Sequence, residues 1–583
     1  MSPVAVAPLF RWNLHPADPV RRDRLAASLK LGPLATQVLL NRGVADLEEA
    51  RGMLPPSLAS LPDPLRMPGC AAAIEVLSRA ADRRARVLVH GDYDVDGTCG
   101  SVLLHRLLTR LGMDVEVFVP DRVQDGYSFG VRSLDAVAAH GADVVVSVDN
   151  GTSAIGPIAE LRARGVETVV VDHHLPGAEL PAAAALMNPW VAPDDCDLPF
   201  RHFCGTAVAW LLAWGLLRER LGTGTLPEAD RRFLFDALGL AAIATIGDVM
   251  PLRGPNRAIV SQGLRGMPES TLPGLRALCD SAGVRGAPSA SDVAFRIAPR
   301  LNAAGRMHRA ELAFATLAAS GAVEAQRLCA ELETLNAERR EVTERERLRF
   351  VGQVEAQRER GDHVLFAGDE DAHFGVLGIV ANQLMDATGL PTLLWAGCGP
   401  GIGRGSARAP EGQDLTEVMA AADGLFEGWG GHARAAGFHF DPKHADAVGE
   451  ALRAAAATLP KPAPPTLEVD AEIQPGEIGL PALLELARLE PWGEGFAEPL
   501  FLCTGARLAA APRPIGDGSH VEMRLEKNGE VVRVLGWRQA DRVAGLTPGD
   551  RVDVVVSVGI NEFRGRRSVE WTLRDLRSAT EEA

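Results

Sequence analysis

The sequence predicts an α/β protein that ends in a small β-barrel, and three observations carry that prediction. Between residues 86 and 260, short Val-rich runs alternate with helical patterns, as strands do in a parallel sheet buried on both faces. Residues 322–360 form one long polar helical pattern. After the Pro-rich stretch Leu459–Thr466, alternating strands flank Asn528-Gly529, a strong type I′ hairpin signal. At 583 residues the chain is too long for one core, and roughly three or four domains are expected.

Composition sets outer limits. Hydrophobic residues make up 46% and charged residues 23%, which fits a globular chain. The formal net charge of −16 argues against a protein that coats nucleic acid non-specifically, since that needs Lys and Arg. It leaves room for a local basic groove, and bound cations would offset part of the acidity. The eight cysteines form no C-x-x-C pair, so neither a zinc ribbon nor a disulfide framework is expected. No signal-like segment opens the sequence, and a cytoplasmic setting is expected. The longest apolar run, Ala207–Leu217, is too short to span a bilayer.

Residues 1–80 read as mostly helical, with Asn41-Arg42-Gly43 as a helix stop. The alternating region then begins with Arg86–Gly97, RVLVHGDYDVDG. The run Val87–Val89 leads straight into His90, Asp92, Asp94 and Asp96, and a helical pattern follows. Three carboxylates in five residues repel one another unless cations neutralise them. In open α/β sheets, ligands bind off the carboxyl ends of the strands. The runs Val115–Val119, Val144–Val148 and Val169–Val171 follow. Two of them also end in polar clusters, Asp149-Asn150-Gly151 and Asp172-His173-His174, and Asp248 ends the apolar stretch Leu238–Ile246. One such cluster is unremarkable, but three in one sheet can share a site. Imidazoles with several carboxylates suit a binuclear centre for Mn²⁺ or a similar ion. Structural zinc favours thiolates and calcium favours oxygen alone.

In order and spacing, G-D-Y-D-V-D-G, V-D-N-G, D-H-H and I-G-D-V-M-P-L resemble the four motifs of the DHH phosphoesterase superfamily. Pro299–Met307, PRLNAAGRM, resembles the fifth motif of the RecJ single-strand-specific exonucleases. In the long helical pattern, Glu341 with Arg345, Glu344 with Arg347 and Glu355 with Arg358 sit at helical spacing. At ~1.5 Å per residue it would span nearly 60 Å, enough to bridge two lobes.

Residues 361–458 carry the Gly clusters HFGVLGIVA (373–381), GIGRGSAR (401–408) and GWGGHARAAG (428–437). Glycine beside Arg and His lets backbone N–H groups cradle an anion, and together these clusters resemble the DHH-associated domain. The family usually reads G-S-G-R-S in the middle cluster. Set against Gly401–Gly405, that pattern loses serines at Ile402 and Gly405 and keeps Arg404. After the linker, Asn561–Arg567 (NEFRGRR) lies between strand-like runs. Phe563 beside Arg564 offers a stacking face with positive charge, which single strands favour.

The resemblance implies a fold: a DHH parallel-sheet domain (81–320), a connecting helix (321–360), a DHH-associated α/β domain (361–458) and a C-terminal OB-fold barrel (466–577), after an N-terminal helical segment (1–80). It also implies a function, metal-dependent 5′→3′ hydrolysis of single-stranded DNA to mononucleotides in recombination and repair. Two Mn²⁺ ions, or Mg²⁺, would be the cofactors. His90 and Asp94 would hold one ion, Asp96, His173 and Asp248 the other, and Asp149 would bridge them. Asp92 would support the ligands, and His174 would contact phosphate or donate a proton, so that Asp94, Asp149 and His174 are the catalytic candidates. Arg300, Arg306, Arg404, Gly430, Gly431 and His432 would grip substrate phosphates, with Phe563 and Arg564 further along the strand. Single-stranded DNA is the implied partner, single-strand-binding protein and a helicase are candidate protein partners, and no membrane is involved. Two alternatives stay open: a DHH-family phosphodiesterase acting on short oligonucleotides or cyclic dinucleotides, and a DNA-binding scaffold without activity.

Overall fold

A computed structural model describes residues 6–44, 46–54, 56–121, 129–193, 196–222, 224–457, 464–563 and 566–579. Two compact units emerge. One comprises residues 57–462 with 493–495; the other comprises 1–56, 463–492 and 496–583. The N-terminal segment forms the expected helices Pro19–Leu29, Pro33–Asn41 and Leu47–Met53. It also adds a strand that its polar sequence did not announce, β1 (Arg11–Leu14).

In the larger unit, β2 (Arg86–His90), β3 (Asp114–Phe118), β4 (Val144–Val148), β5 (Glu167–Val171) and β6 (Ala185–Met187) form a parallel sheet of order β3-β2-β4-β5-β6. The Val-rich runs of β2, β4 and β5 are buried between helices, as parallel sheets require, while that of the edge strand β3 is only half-buried. β6 has only three residues, too few for a periodic signal. The apolar run 207–217 is the buried core of the helix Gly205–Leu221. Among the described residues no helix is long and apolar enough to cross a membrane.

The long polar pattern is one 38-residue helix, Ala322–Glu359. Glu344 and Arg347 pair as their spacing suggests, at 2.7 Å. Arg345 instead reaches the neighbouring Glu346 at 3.0 Å, because that carboxylate is fully buried and draws in Arg345 and Arg349. The helix is not merely a solvated rod, since it buries Leu332, Phe350 and Val354.

Beyond it, β7 (Leu365–Asp369), β8 (Thr392–Gly397), β9 (Gly403–Arg408), β10 (Gly428–His432) and β11 (Ala435–Phe440) form a mixed sheet of order β10-β11-β9-β8-β7. β11 alternates exposed and buried residues throughout. Phe438 and Phe440 therefore face an aromatic core, while Ala435, Gly437 and His439 face out.

In the other unit, β12 (Thr466–Val469) pairs in parallel with β1. β13 (Ala471–Glu472), β14 (Phe501–Leu508), β15 (Arg513–Ile515), β16 (His520–Lys527), β17 (Glu530–Gly536), β18 (Arg551–Phe563) and β19 (Arg566–Ser578) form the terminal sheet. Its order is β13-β14-β18-β19-β17-β16-β15, and β14 also pairs with β16, which closes a five-stranded barrel. Asn528 (φ 55°) and Gly529 (φ 82°) make the turn with both central residues left-handed, as a type I′ hairpin demands. The expected basic loop 561–567 is instead mostly strand, the far end of the β18–β19 hairpin. Arg564 and the side chain of Phe563 lie outside the described residues.

Candidate metal centre and substrate cleft

β2, β4 and β5 are neighbours in one parallel sheet, so their carboxyl ends share one rim. His90 closes β2, Asp149 follows β4, and Asp172-His173-His174 follow β5. Asp248 arrives at the C-terminus of the helix Glu228–Gly247. His173 Nε2 lies 3.1 Å from Asp149 Oδ1, 3.5 Å from Asp248 Oδ2 and 3.7 Å from Asp96 Oδ2.

Local chemistry holds each group. Asp94 caps the helix Val95–Arg110, its Oδ1 accepting from the N–H groups of Asp96 (2.9 Å) and Gly97 (3.1 Å). Asp96 accepts from Gly205 N–H (2.7 Å) and Thr206 N–H (2.8 Å), the first turn of the helix Gly205–Leu221, where an anion is favoured. A Cβ on Gly205 would sit 2.8 Å from the Asp149 Cβ, so glycine permits that approach. Asp149 adopts φ 63°, a left-handed backbone that Asp and Asn tolerate better than most residues. Asp172 lies behind the histidines. Its Oδ1 accepts from His173 N–H (2.7 Å) and lies 2.8 Å from His174 Nδ1, while its Oδ2 accepts from Thr152 N–H (3.0 Å). Asn188 donates to the His174 carbonyl at 2.8 Å.

Crowding these charges away from water is costly. Burial, then the charges of Asp96, Asp94, Asp92 and Asp248, push Asp149 well above the usual carboxylate range. Burial and Asp96 push Asp94 up, and burial, Asp96 and Asp94 push Asp248 well up. Burial lowers His90 to about 4 and also lowers His173, so both are neutral, as metal ligands must be. His174 differs. Burial opposes its charge, but the Asp172 hydrogen bond and the surrounding carboxylates prevail and raise it to about 9. The same pairing outweighs burial at Asp172 and holds that carboxyl below its usual range.

The donor set fits divalent cations. Three groups of side chains bring ligand atoms within 4.8 Å of one another: Asp96 with His173 and Asp248; Asp149 with His173 and His174; and Asp92 with Asp94 and Asp149. A cation would relieve the repulsion that raises Asp94, Asp149 and Asp248. Asp248 Oδ2 and His90 Nδ1 are buried without a hydrogen-bond partner. His90 stands outside the three groups; its Nε2 lies 2.9 Å from Ser133 Oγ and its ring stacks on Phe129. Asp92 joins Asp94 and Asp149 in the third group.

The fifth motif acts differently from its expected role. Asn302 accepts from Val95 N–H at 2.8 Å, and Gly305 packs so closely on the Tyr93 carbonyl that a Cβ would collide with it. The helix Ala298–Arg306 thus braces the acid loop. Arg300 is held by its neighbours. It donates to Glu333 on the long helix and to the Arg296 carbonyl, with Ser281 O at 3.4 Å. Arg306 reaches the Gly375 carbonyl at 3.3 Å.

Tyr93 also lines a cleft of about 600 Å³, whose other wall holds Phe374, Arg404, Gly405, Gly428, Trp429, Gly430, Gly437, Phe438 and His439. Arg404 and Gly430 are therefore gathered opposite the acid loop, whereas Gly431 and His432 lie further along β10, exposed. A side chain at position 405 would strike the Phe438 ring, which explains its glycine. The frame Gly405-Ser406-Ala407-Arg408 also reads G-S-x-R, and its serine and arginine meet, Arg408 Nη1 donating to Ser406 Oγ at 2.9 Å. That signal lies in the sequence four residues beyond the cluster start at Gly401. Asn188, Gly205, Thr206 and Asn302 were missed because their partners are remote in sequence.

Family models match the chain at residues 86–245 (DHH family, N-terminal domain), 361–459 (DHHA1 domain) and 469–575 (RecJ OB domain). The chain is 37% identical to the single-stranded-DNA-specific exonuclease RecJ of Thermus thermophilus, over 97% of its own length and 78% of the relative's. With the Escherichia coli RecJ it shares 31% identity, over 94% and 96%. A crystal structure of Thermus thermophilus RecJ in complex with Mn²⁺ superposes with a TM-score of 0.83 at 35% identity, covering 98% of this chain and 80% of that one. The Mg²⁺ complex gives 0.77 at 34% identity, over 98% and 79%. With the motifs in order, the carboxylate and imidazole groups at one sheet rim, and a near full-length match, the chain belongs to the RecJ family of single-stranded-DNA-specific exonucleases.

Proposed function

We propose that this chain is a metal-dependent exonuclease that hydrolyses single-stranded DNA from its 5′ end to mononucleotides, in recombination and repair. The observation that carries the reading is the rim where Asp92, Asp94, Asp96, Asp149, His173 and Asp248 converge, with Tyr93 of the same acid loop lining a cleft together with Arg404. Asp96, His173 and Asp248 would hold one ion, Asp94 with Asp92 or His90 the other, and Asp149 would reach both. When bound, Mn²⁺ or Mg²⁺ neutralises the attacked phosphate and makes water nucleophilic at neutral pH.

The chain's own groups do the rest. His174, raised to about 9, is an imidazolium at pH 7. Asp172 fixes its Nδ1, which leaves Nε2 to meet a phosphate oxygen or protonate the departing oxygen. Arg306, Arg404, Gly430, Gly431 and His432 grip phosphates along the strand. In this reading residues 81–320 are the catalytic domain, 321–360 the connecting helix, 361–458 the phosphate-gripping domain and 466–577 the strand-binding barrel, with 1–80 an N-terminal segment. The enzyme works in the cytoplasm, with single-strand-binding protein and a helicase as candidate partners.

End-labelled oligonucleotides test this reading. With Mn²⁺ or Mg²⁺, a 5′ label should appear at once as mononucleotide and a 3′ label only late; chelator should stop both. Release of the 3′ label first would reverse the polarity. Turnover confined to dinucleotides would favour a small-substrate phosphodiesterase instead.

A further inference from the structure

The outward face of β9, β11 and β10 carries two cationic rows. In the antiparallel register Arg404 stands opposite His439, which stands opposite Gly428; Ser406, Gly437 and Gly430 form the next row, in which Ser406 is buried beneath Gly378; Arg408, Ala435 and His432 form the third. Directly opposed residues in antiparallel strands project to the same side. His432 and Arg404 are thus not neighbours. Four residue steps separate their rows, about 13 Å at ~3.3 Å per residue.

Beside Arg404 stands His439, which sequence reading passed over because it lies outside every Gly cluster. It is exposed, its imidazole lies over Gly428, where a Cβ would come within 2.5 Å of Cε1, and both Arg404 and His439 line the cleft that Tyr93 closes from the acid loop. Among the described residues no hydrogen bond engages the His439 ring. Between the rows the floor is bare. A Cβ on Gly430 would meet nothing within 4 Å, and one on Gly437 only the Gly405 carbonyl at 3.9 Å. Glycine there lets a flat group lie on the backbone, and a volume of about 600 Å³ is in the range of small-ligand sites.

We propose that Arg404 and His439 form a phosphate subsite in this cleft, separate from the His432 row. It seats the phosphate of the nucleotide next to the scissile bond, with the sugar or base over Gly430 and Gly437. The proposal rests on the exonuclease reading and adds a residue to it. Guanidinium and imidazole N–H donors converging from adjacent strands suit a phosphate, and the bare floor leaves base identity unread.

A double-mutant cycle in the full-length chain tests it. The readout is the dissociation constant of a fluorescent 5′-phosphorylated oligothymidylate in chelator, where nothing is cleaved. His439→Ala should weaken binding about tenfold, and His439→Gln, which keeps a donor, should recover most of that loss. His439→Ala combined with Arg404→Gln should cost clearly less than the product of the single effects, because the pair shares one phosphate. Combined with His432→Ala, the effects should multiply, as they do for independent sites. Wild-type affinity in His439→Ala, or independent effects of Arg404 and His439, would overturn the subsite. If the unmodified protein neither bound nor, with Mn²⁺, degraded single strands, the exonuclease reading itself would fall.

Discussion

Asp149 shows how one residue can be strained, crowded by like charges and buried at once. It follows a fully buried strand, takes φ 63°, and faces four other carboxylates. Asp149→Asn keeps a side chain that accepts the left-handed backbone and removes one charge. The metal-free protein should become more stable by roughly 1 kcal/mol, while Mn²⁺-dependent hydrolysis falls more than about a hundredfold. Near-normal turnover would mean that Asp149 does not serve the ions. The same crowding sets a pH dependence. Asp94, Asp149 and Asp248 have folded-state values raised above the ordinary 3.8, so they bind protons more tightly folded than unfolded. Their contribution is present below 3.8 and is lost as pH rises through the raised values. The gap in Tm between Mn²⁺-loaded and chelator-treated protein should therefore widen from pH 5 to pH 8. A constant gap would show that these carboxylates are not repelling one another. The acids were legible in the sequence because each follows an apolar run. Asp172 was visible as a letter of its motif, but its grip on both histidines needs the folded turn.

At the scale of elements, the helix Ala298–Arg306 carries the main revision. Its Arg-Ala-Gly letters suggested phosphate contacts, yet Asn302 and Gly305 hold the acid loop, and Arg300 ties the helix to Glu333. Asn302→Ala should weaken Mn²⁺ binding about tenfold to a hundredfold, since the Val95 N–H loses its acceptor. Arg300→Ala should lower stability by about 1–3 kcal/mol and leave oligonucleotide affinity unchanged. A large loss of DNA binding in Arg300→Ala, read by fluorescence anisotropy, would return that residue to the substrate. The long helix was legible from its length and charge pattern. Its buried Glu346 was not, because the groups that enclose it come from tertiary packing.

Across the molecule, local periodicity and turn chemistry gave the parallel sheet and the hairpin-built barrel, whereas the mixed sheet was hidden, because the Gly clusters read as anion cradles form its strands β9, β10 and the start of β11. Long-range assembly was hidden too: β1 pairs with β12, Arg42 meets Asp470 at 2.7 Å, and Asp575 accepts from Trp12 Nε1 at 2.8 Å. No periodicity encodes such pairs. Function follows from assembly of the same kind inside the larger unit, where Tyr93 of the acid loop and Arg404 of the mixed sheet line one cleft. A substrate must bring one phosphate to the carboxylate rim while its neighbour enters that cleft. A B-form duplex, whose major groove alone is ~12 Å wide, is too thick to do so. We propose that exclusion by width, rather than base reading, makes the enzyme single-strand specific. The direct test compares Mn²⁺-dependent digestion of a single strand, a blunt duplex and the same duplex with a 5′ single-stranded tail, at one salt concentration. The single strand and the tail should be digested and the blunt duplex should resist; equal rates on blunt duplex and single strand would contradict the account.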